Sequence, residues 1–366
     1  MGFRCGIVGL PNVGKSTLFN ALTNAQSSEV GNYPFCTVEP HIGRVSVVDP
    51  ELQNVSELSK SKNVIHAQLE IVDIAGLVRG ANKGEGLGNQ FLGNIREVDA
   101  ILHLVRCFDD EQVSHVEGLV DPIRDIDLID TELMLADLES IEKQLNTIQK
   151  LAKSNDKDAL KALPIAEQLI SNLRNGQPAR ALELNIDDKE IANKFHLLTA
   201  KPVLYVCNVD ELNALNGNTN SEKIFQRAKS EGTECIIISA AIEAEIASLE
   251  NFSDRQEFID SLGLKEAGLN RLVRAGYSLL ELICYYTAGE KESRAWTIKR
   301  GTNARDAAGV IHTDFARGFI CAETISYKDY IEYGGEQSAK EAGKMRQEGR
   351  DYIVENKDVM LFRFNV

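Results

Sequence analysis

The glycine-rich stretch at residues 9–16 constrains the fold of this chain more than any other part of the sequence. It reads G-L-P-N-V-G-K-S, follows the apolar run 3–8 and leads into a helical pattern that starts at Lys15. The glycines let the backbone bend around an anion, and the helix N-terminus adds its positive dipole end. Lys15 would reach the β- and γ-phosphates of a nucleotide, and Ser16 would ligate Mg²⁺. The predicted nucleotide contacts in this loop are Asn12, Val13, Gly14, Lys15, Ser16 and Thr17.

Strand-like and helical segments alternate after this loop, which indicates an α/β fold with a mostly parallel sheet. The run 100–105 is almost continuously apolar, as a central parallel strand should be. Further strands are expected at 44–48, 67–72, 202–207 and 235–238. The ligand site of such a sheet lies at the carboxyl ends of its strands. We therefore predict a discontinuous phosphate-loop domain over residues 1–118 and 199–282.

Residues 119–198 interrupt this alternation. Apolar residues recur at helical spacing over 121–151, a polar break follows at 154–157, and a second helical pattern covers 158–173. Two long helices joined by a short break form an antiparallel hairpin. The apolar faces of this inserted hairpin either pack against each other or bind a partner, and the pattern leaves both open.

Residues 283–366 contain short strand patterns around one helix at 304–311, which predicts a small α+β module. The chain as a whole is acidic, with 40 basic and 55 acidic side chains, so no overall basic field attracts nucleic acid. An RNA partner would need a local patch, and this module supplies the best candidate. A solvated surface of mixed charge is the alternative. The basic residues concerned are Arg294, Lys299, Arg300, Arg305 and Arg317.

A second motif separates switch proteins from kinases. Asp73-x-x-Gly76 follows a predicted strand, where the aspartate can hold Mg²⁺ through water and the Gly76 N–H can meet the γ-phosphate. Loss of that phosphate would free the segment behind the motif. Thr37, in the loop before the second strand, is placed to give Mg²⁺ a second hydroxyl. It could also be an ordinary loop threonine.

The base-reading position departs from the pattern of guanine-specific proteins, which use Asn-Lys-x-Asp. This chain has Asn208-Val209-Asp210-Glu211, so the lysine is missing and a glutamate replaces the aspartate. A site built for a bidentate contact loses discrimination steeply when its geometry changes. We therefore predict weak guanine preference and ATP as the ligand. Asn208, Val209 and Glu211 would line the base pocket, and Ser239 would close its other side.

The residues that would drive hydrolysis are the least defined part of the pattern. Leu77 follows Gly76, where many switch proteins place the glutamine that orients the attacking water. His115 is the intrinsic candidate for that role, although it could equally be a surface histidine. Asn12 either ligates a monovalent cation such as K⁺ or holds the loop. Turnover is therefore expected to be slow.

Cysteine usage indicates a reducing compartment. The seven cysteines are odd in number, form no C-x-x-C pair and lie largely in apolar runs. The six histidines have no metal-ligand spacing. Neither a leader pattern nor an apolar run of membrane-spanning length is present, so we expect a cytoplasmic protein.

Taken together, these motifs resemble the YchF (Obg-like ATPase) family of translation-factor-type P-loop NTPases. The resemblance implies an ATPase that accepts GTP poorly, a coiled-coil hairpin inserted in the G domain, a C-terminal TGS module with a β-grasp fold, and association with the ribosome. The degenerate base motif is itself typical of that family. The matching stretches are 9–17, 32–37, 73–77, 84–89, 295–298 and 311–315.

The favoured hypothesis is a slow Mg²⁺-dependent ATPase that binds the ribosome according to its nucleotide state. One alternative is a GTPase of ordinary specificity. Another is a binding module with negligible turnover, which Leu77 would favour. A small-molecule kinase fits least, because no acceptor-binding pattern follows the phosphate loop.

Overall fold

The computed structural model describes residues 3–27, 42–74, 87–110, 113 and 118–365, and of residues 25–27 and 87–89 it describes the backbone alone. The predicted site residues Thr37, Gly76 and His115, together with Leu77, lie outside the described residues. The chain forms two compact units. The first comprises Phe3–Gly43 and Glu70–Gly276, and the second comprises Arg44–Leu69 and Tyr277–Val366.

The secondary structure follows the alternation that the sequence predicts. The strands are β1 Arg4–Val8, β2 Ile42–Ser46, β3 Asn63–Ile65, β4 Gln68–Asp73, β5 Ala100–Arg106, β6 Val203–Asn208, β7 Cys235–Ile238, β8 Leu282–Thr287, β9 Glu292–Lys299, β10 Phe319–Ile325, β11 Arg346–Glu348 and β12 Val359–Phe364. The helices are α1 Lys15–Ser27, α2 Pro50–Ser59, α3 Leu87–Arg96, α4 Pro122–Lys153, α5 Lys157–Arg174, α6 Ile186–Asn193, α7 Thr219–Glu231, α8 Ala240–Ser248, α9 Phe252–Ser261, α10 Gly268–Leu279, α11 Ala304–Ile311, α12 Thr313–Arg317, α13 Tyr327–Glu332 and α14 Glu336–Glu341.

The first unit is built on a sheet of order β2-β4-β1-β5-β6-β7. β1 pairs in parallel with both β4 and β5, and β6 pairs in parallel with β5 and β7. Every residue of β5 is buried, which explains why its sequence is almost continuously apolar. The predicted α/β fold with a mostly parallel sheet is confirmed. Its carboxyl edge brings the ends of β1, β4, β5, β6 and β7 together.

α4 and α5 form the predicted helical hairpin of the first unit. Pro122 occupies the first turn of α4, where its missing N–H costs nothing, and Asp121 caps that helix. Asp156 caps α5 by accepting from the N–H groups of Asp158 and Ala159. The apolar faces pack together around Ile141, Ile165, Ala166, Leu169, Ile170 and Leu173. The sequence left open whether the apolar faces of the two helices pack together or bind a partner. Within the described residues they pack against each other.

Buried carboxylates on α4 attach the hairpin to the chain that follows it. Asp137 accepts hydrogen bonds from the backbone N–H groups of Leu198 at 2.7 Å and Thr199 at 2.8 Å, and from the Thr199 hydroxyl at 2.6 Å. Burial raises the pKa of the Asp137 carboxyl, although these bonds oppose the shift. Asp130 receives the guanidinium of Arg180, with both N–O distances at 3.1 Å. These contacts fix α4 to the segment that follows α5.

The second unit is a mixed sheet of order β11-β10-β12-β8-β9-β3. α11 covers one face, where Tyr285 donates from its hydroxyl to the Ala307 carbonyl at 2.9 Å. Tyr286 points to the opposite face because successive strand side chains alternate, and its hydroxyl bonds the Asp49 carboxylate. A helix packed on a mixed sheet is the arrangement expected of the terminal α+β module.

Residues 44–69 belong to this second unit, whereas the predicted boundaries placed them in the phosphate-loop domain. β3 extends the second sheet by pairing in parallel with β9, and α2 packs against β9 and α13. Ser61 bonds the Gly289 carbonyl at 2.7 Å and the Ser293 hydroxyl at 2.8 Å. The difference arises because strand patterns do not reveal which sheet a short strand joins.

The described helices include none with the length and apolar character needed to cross a membrane.

Candidate nucleotide-binding site

The glycines of the phosphate loop stand where a larger residue would collide with the sheet edge. A Cβ at Gly9 would lie 2.6 Å from the Leu104 carbonyl oxygen. A Cβ at Gly14 would lie 2.4 Å from Asn208 Nδ2, and Gly14 also has a φ of 92°. Asn12 adopts the left-handed region with a φ of 63°, which asparagine tolerates better than most residues. The loop is therefore a tight backbone turn between β1 and α1.

The phosphate-loop lysine and the aspartate of the second motif meet at this turn. Lys15 Nζ lies 3.1 Å from Asp73 Oδ1, and the two side chains are only 12% and 14% exposed. Asp73, at the end of β4, lies beside the start of the phosphate loop because it pairs in register with Ile7 of β1. Ser16 and Thr17, in the first turn of α1, are exposed. A serine hydroxyl and a carboxylate are the oxygen donors that Mg²⁺ prefers, so these residues fit a magnesium–phosphate ligand.

Asn208 links the phosphate loop to the base side of the site. It is 4% exposed, and its Nδ2 donates to the Val13 carbonyl at 2.8 Å. Its Oδ1 accepts from the Ala240 N–H at 2.9 Å. The Val209 N–H donates to the Ile238 carbonyl at 2.9 Å. Asparagine is needed here because the one side chain must accept and donate at the same time.

The two carboxylates that follow Asn208 have different surroundings. Asp210 accepts from both the backbone N–H and the side-chain amide of Asn213, and so caps the 3₁₀ turn Glu211–Asn213. The Glu211 side chain is exposed and makes no hydrogen bond or ion pair within the described part of the chain. Val209, at the position of the missing lysine, is buried and has no long side-chain stem. Glu211 is thus the carboxylate that remains available beside the base position.

Ser239 follows β7 and directly precedes α8. Its side chain is buried, at 2% exposure, and its Oγ has no hydrogen-bond partner among the described residues. Although Ser239 is the N-cap residue of α8, it makes no side-chain cap bond. The structure therefore brings Ser239 to the same sheet edge as Asn208 and leaves its hydroxyl uncommitted.

Arg106, at the end of β5, was not singled out from the sequence. It is 2% exposed, and its guanidinium donates to the carbonyls of Phe108 at 3.1 Å, Asp110 at 3.3 Å and Val113 at 2.9 Å. These bonds hold the start of the loop in which the sequence places His115. An arginine at the end of an apolar strand was the available signal, but only the fold shows which carbonyls it meets.

The cysteines near the site are free thiols, of which Cys107 and Cys207 are buried and Cys235 is half-buried. The six described cysteines are free, and Cys207 Sγ lies 3.4 Å from Cys235 Sγ. The pKa of Cys207 is raised by its hydrogen bonds to Cys107 and Cys235 and by burial. A thiol whose pKa is raised in this way stays protonated, so Cys207 is a poor nucleophile and a poor metal ligand. Among the described residues no cluster of three or more histidines, cysteines or carboxylates could hold a metal.

The predicted basic patch of the terminal unit is largely on the surface. Lys299, Arg300, Arg305 and Arg317 are exposed. Arg294 is half-buried, with its guanidinium 4.0 Å from the ring centroid of Trp296. Arg317 also pairs with Asp314 at 3.4 Å. The patch is therefore partly neutralised by its own acidic neighbours.

Two family models match the chain. Residues 4–163 match a model described as "50S ribosome-binding GTPase". Residues 282–365 match the C-terminal model of YchF-type GTPases, which is described as a protein of unknown function. The two matches fall on the phosphate-loop half of the sequence and on the terminal module.

Full-length relatives are similar over the whole chain. A protein of Escherichia coli O157:H7 named "Ribosome-binding ATPase YchF" is 53% identical over 366 residues, covering 100% of both chains. The protein of that name from Bacillus subtilis is 51% identical over 368 residues, again with full coverage of both. A solved structure of the Schizosaccharomyces pombe YchF GTPase superposes with a TM-score of 0.89 at 38% identity, covering 99% of this chain and 98% of that one.

Proposed function

The chain belongs to the YchF family, and from that membership and the geometry of the site we propose that it is a Mg²⁺-dependent ATPase that binds the ribosome. The observation that carries the catalytic part is the Lys15–Asp73 contact at 3.1 Å. It brings the lysine that we propose binds phosphate and the carboxylate that we propose holds Mg²⁺ to one sheet edge. ATP as the substrate and the ribosome as the partner are inferred from the names of the bacterial relatives.

Different residues are proposed to bind the phosphates, to hold the metal and to position the attacking water. The phosphate-loop N–H groups and Lys15 hold the β- and γ-phosphates, which neutralises the charge that develops on the leaving group. Ser16, Thr37 and Asp73 (through water) would hold Mg²⁺, and the Gly76 N–H would meet the γ-phosphate. The metal, when bound, stabilises charge on the transferring phosphoryl group. His115 is proposed to position the attacking water, since Leu77 cannot.

ATP is the proposed nucleotide because the base side lacks the guanine-reading pair. The lysine stem is replaced by the buried Val209, and Glu211 has one methylene more than the aspartate that binds guanine. Asn208, Val209, Glu211 and Ser239 are proposed to line the base pocket. The Schizosaccharomyces pombe relative of known structure is named a GTPase, so GTP is the nucleotide to test against.

Three further features belong to the proposal. Asn12 either ligates a K⁺ ion that bridges the phosphates or holds the loop. The basic patch of the terminal unit contributes to contact with ribosomal RNA, and the protein acts in the cytoplasm, where ribosomes and reduced thiols are found together.

The test is a competition titration of ATP against GTP on the full-length protein, followed by turnover with and without ribosomes. We expect ATP to displace a fluorescent nucleotide at lower concentration than GTP, and phosphate release to be slow and dependent on Mg²⁺. Lys15→Ala should lower turnover by at least tenfold, because it removes the cation on the transferring phosphate. The exposed Lys229→Ala on α7 is the matched control.

Each other outcome points to a different function. A clear preference for GTP would replace the ATPase by a GTPase of ordinary specificity. Tight ATP binding without phosphate release, even with ribosomes present, would indicate a nucleotide-sensing binding module. Co-sedimentation with ribosomes in the presence of ATP tests the partner separately from the chemistry.

A further inference from the structure

The tip of the helical hairpin, residues 150–161, carries a charge opposite to that of the rest of the insertion. Its two aspartates are outnumbered by four lysines, which are Lys150, Lys153, Lys157 and Lys161. The remainder of residues 119–198 has six basic and 13 acidic side chains, and the whole chain has a net charge of −15. The hairpin tip is therefore a local positive surface on an acidic protein.

The four lysines of the hairpin tip lack the carboxylate partners that cations have further down the hairpin. Lys143 pairs with Glu139 at 2.6 Å. Arg174 pairs with Glu142 at 2.7 Å. The tip lysines are all exposed, and none of them forms an ion pair or a hydrogen bond through its Nζ atom within the described part of the chain. Asp156 does not neutralise them, because its carboxylate accepts from two backbone N–H groups of α5.

Two of these lysines stand where a positive charge disfavours the helix. Lys157 is the first residue of α5, and a cation there opposes the positive end of the helix dipole. Lys161 lies four residues further on, and like charges at that spacing repel each other. A negatively charged partner would remove both penalties, whereas folding of the hairpin gains nothing from them.

The hairpin tip is an ordered part of the fold that extends beyond the attachment of the hairpin. The Asp156 N–H closes the turn by donating to the Leu151 carbonyl at 3.2 Å. Gln144 Nε2 donates to the Phe195 carbonyl at 3.2 Å, outside the two hairpin helices. α4 continues past Gln144 to Lys153, which is a distance of about 13 Å along the helix.

The composition of the hairpin tip fits RNA better than an acidic protein. Protein interfaces are enriched in aromatic residues, methionine and arginine and are depleted in lysine. The hairpin tip has no aromatic residue, methionine or arginine. Its exposed large apolar side chains are those of Leu151 and Leu160, each 48% exposed. Lysine contacts to phosphate oxygens, in contrast, need only charge and reach, and they are independent of base sequence.

We propose that the hairpin tip is a docking surface for the phosphate backbone of RNA, and that its four lysines each contact a phosphate group. This inference rests on the proposed function, in which the ribosome is the partner, and it assigns to the hairpin a contact with ribosomal RNA. The contact is additional to the one proposed for the basic patch of the terminal unit.

A quadruple variant of the full-length protein tests this surface, with all four tip lysines replaced by glutamine. Co-sedimentation with ribosomes in the presence of ATP, and binding to ribosomal RNA freed of protein, are measured over a range of salt of about 50 to 200 mM. Each phosphate contact contributes about 0.7–0.9 to the slope of log affinity against log salt. We therefore expect the slope to fall by about three for both partners, and the affinity at the lowest salt to fall at least about tenfold.

A second quadruple variant is the matched control, because it removes the same number of exposed positive charges from the first unit. Its lysines, also replaced by glutamine, are Lys189, Lys194, Lys229 and Lys265. It should change the salt slope by much less than the tip variant does. The tip variant should keep its melting temperature within about 2 °C and its turnover of ATP without ribosomes, because the tip lysines make no contact that the fold needs.

The other outcomes each decide against the inference or against the proposed function. Ribosome binding that is unchanged in the tip variant, or reduced equally in both variants, would overturn the docking surface. Weaker ribosome binding with unchanged RNA binding would show that the lysines meet an acidic ribosomal protein, and would overturn the RNA contact. Failure of the unmodified protein to sediment with ribosomes would overturn the proposed partner itself, and the salt slope for RNA alone would then decide whether the hairpin tip binds phosphate.

Discussion

Two segments leave the sequence of the phosphate-loop domain, and they end in different units. The hairpin of α4 and α5 departs after β5 and the chain returns in β6, the neighbouring strand, so it stays in the first unit. Residues 44–69 are shorter and look like ordinary strand and helix, yet they join the second unit. The long helical hairpin therefore stays in the unit that contains the phosphate loop, whereas the short segment 44–69 does not.

The polar contacts of the two segments explain the difference. The hairpin is held by buried charges, Asp130 with Arg180 and Asp137 with the backbone of residues 198–199. Residues 44–69 are held by buried apolar side chains of α2 and by hydroxyl groups such as that of Ser61. A segment belongs to the unit in which its buried groups find partners, whatever its place in the sequence. The single tryptophan, Trp296, packs against the core of the second unit, so we expect its fluorescence to report on the unfolding of that unit.

The largest expected effect comes from the buried ion pair of the hairpin. Arg180→Met leaves the 5%-exposed Asp130 without its cation, which should cost about 3–5 kcal/mol of unfolding free energy. Urea unfolding followed by circular dichroism should show the loss, while the Trp296 fluorescence transition stays in place. Arg174→Met, which breaks the largely exposed pair with Glu142, should cost about 0–1 kcal/mol. A shift of the Trp296 transition in Arg180→Met would contradict the assignment of the hairpin.

A core substitution in α2 tests whether residues 44–69 contribute to the stability of the second unit. Leu52 is fully buried, so Leu52→Ala should cost about 2–4 kcal/mol through lost burial and a cavity. Because α2 packs on β9, the loss should appear as a lower urea midpoint of Trp296 fluorescence. The partly exposed Leu58→Ala on the same helix serves as the control and should cost far less. An unchanged Trp296 transition in Leu52→Ala would place residues 44–69 with the first unit instead.

A pH effect of intermediate size is expected in the first unit alone. Burial lowers the pKa of His103 on β5 to about 4; the Asp130 carboxylate opposes this shift and Arg180 adds to it. Since the folded pKa lies below the unfolded one of about 6.5, the stability contribution is present above pH 6.5 and is lost as the pH falls towards 4. Between pH 7 and pH 5 the loss should be about 2 kcal/mol.

His103→Gln should remove this part of the pH dependence when urea midpoints are compared at pH 7 and pH 5. His196→Asn is the control, because His196 is exposed and asparagine tolerates its φ of 52°. The same slope in His103→Gln and in the unmodified protein would mean that His103 does not titrate in this range. The Trp296 transition should have the same pH dependence in all three proteins.

The smallest effect is expected from a single hydroxyl of residues 44–69. Ser61→Ala removes the bonds to the Gly289 carbonyl and to the Ser293 hydroxyl, which should cost about 1 kcal/mol. The Trp296 transition should shift accordingly. Ser230→Ala on α7, which loses a bond to the Arg227 carbonyl in the first unit, should leave that transition unchanged. Equal shifts in both variants would mean that Trp296 reports on the whole chain.

Much of the candidate site could be predicted because its chemistry is local in sequence. The turn of residues 9–16 needs glycine at fixed positions, and the structure has tight backbone approaches at Gly9 and Gly14. Lys15 and Asp73 were assigned to one site from two motifs, and their side chains meet at 3.1 Å. The roles of Thr37, Gly76 and His115 stay predictions. Arg106 and the uncommitted hydroxyl of Ser239 could not be foreseen, because their meaning depends on which distant carbonyls and N–H groups surround them.

The sequence by itself determined the phosphate loop, the parallel sheet and the helical hairpin, because each follows from the spacing of glycines and apolar residues along a short stretch of chain. Only the tertiary structure decided that β3 completes the second sheet and that Asp210 caps a turn. The physical reason is that hydrogen bonds and burial are shared between residues far apart in the chain. A three-residue strand such as β3 is too short to show a periodic pattern that identifies its partner strand. The hydrogen bond of a single hydroxyl gives no such pattern either.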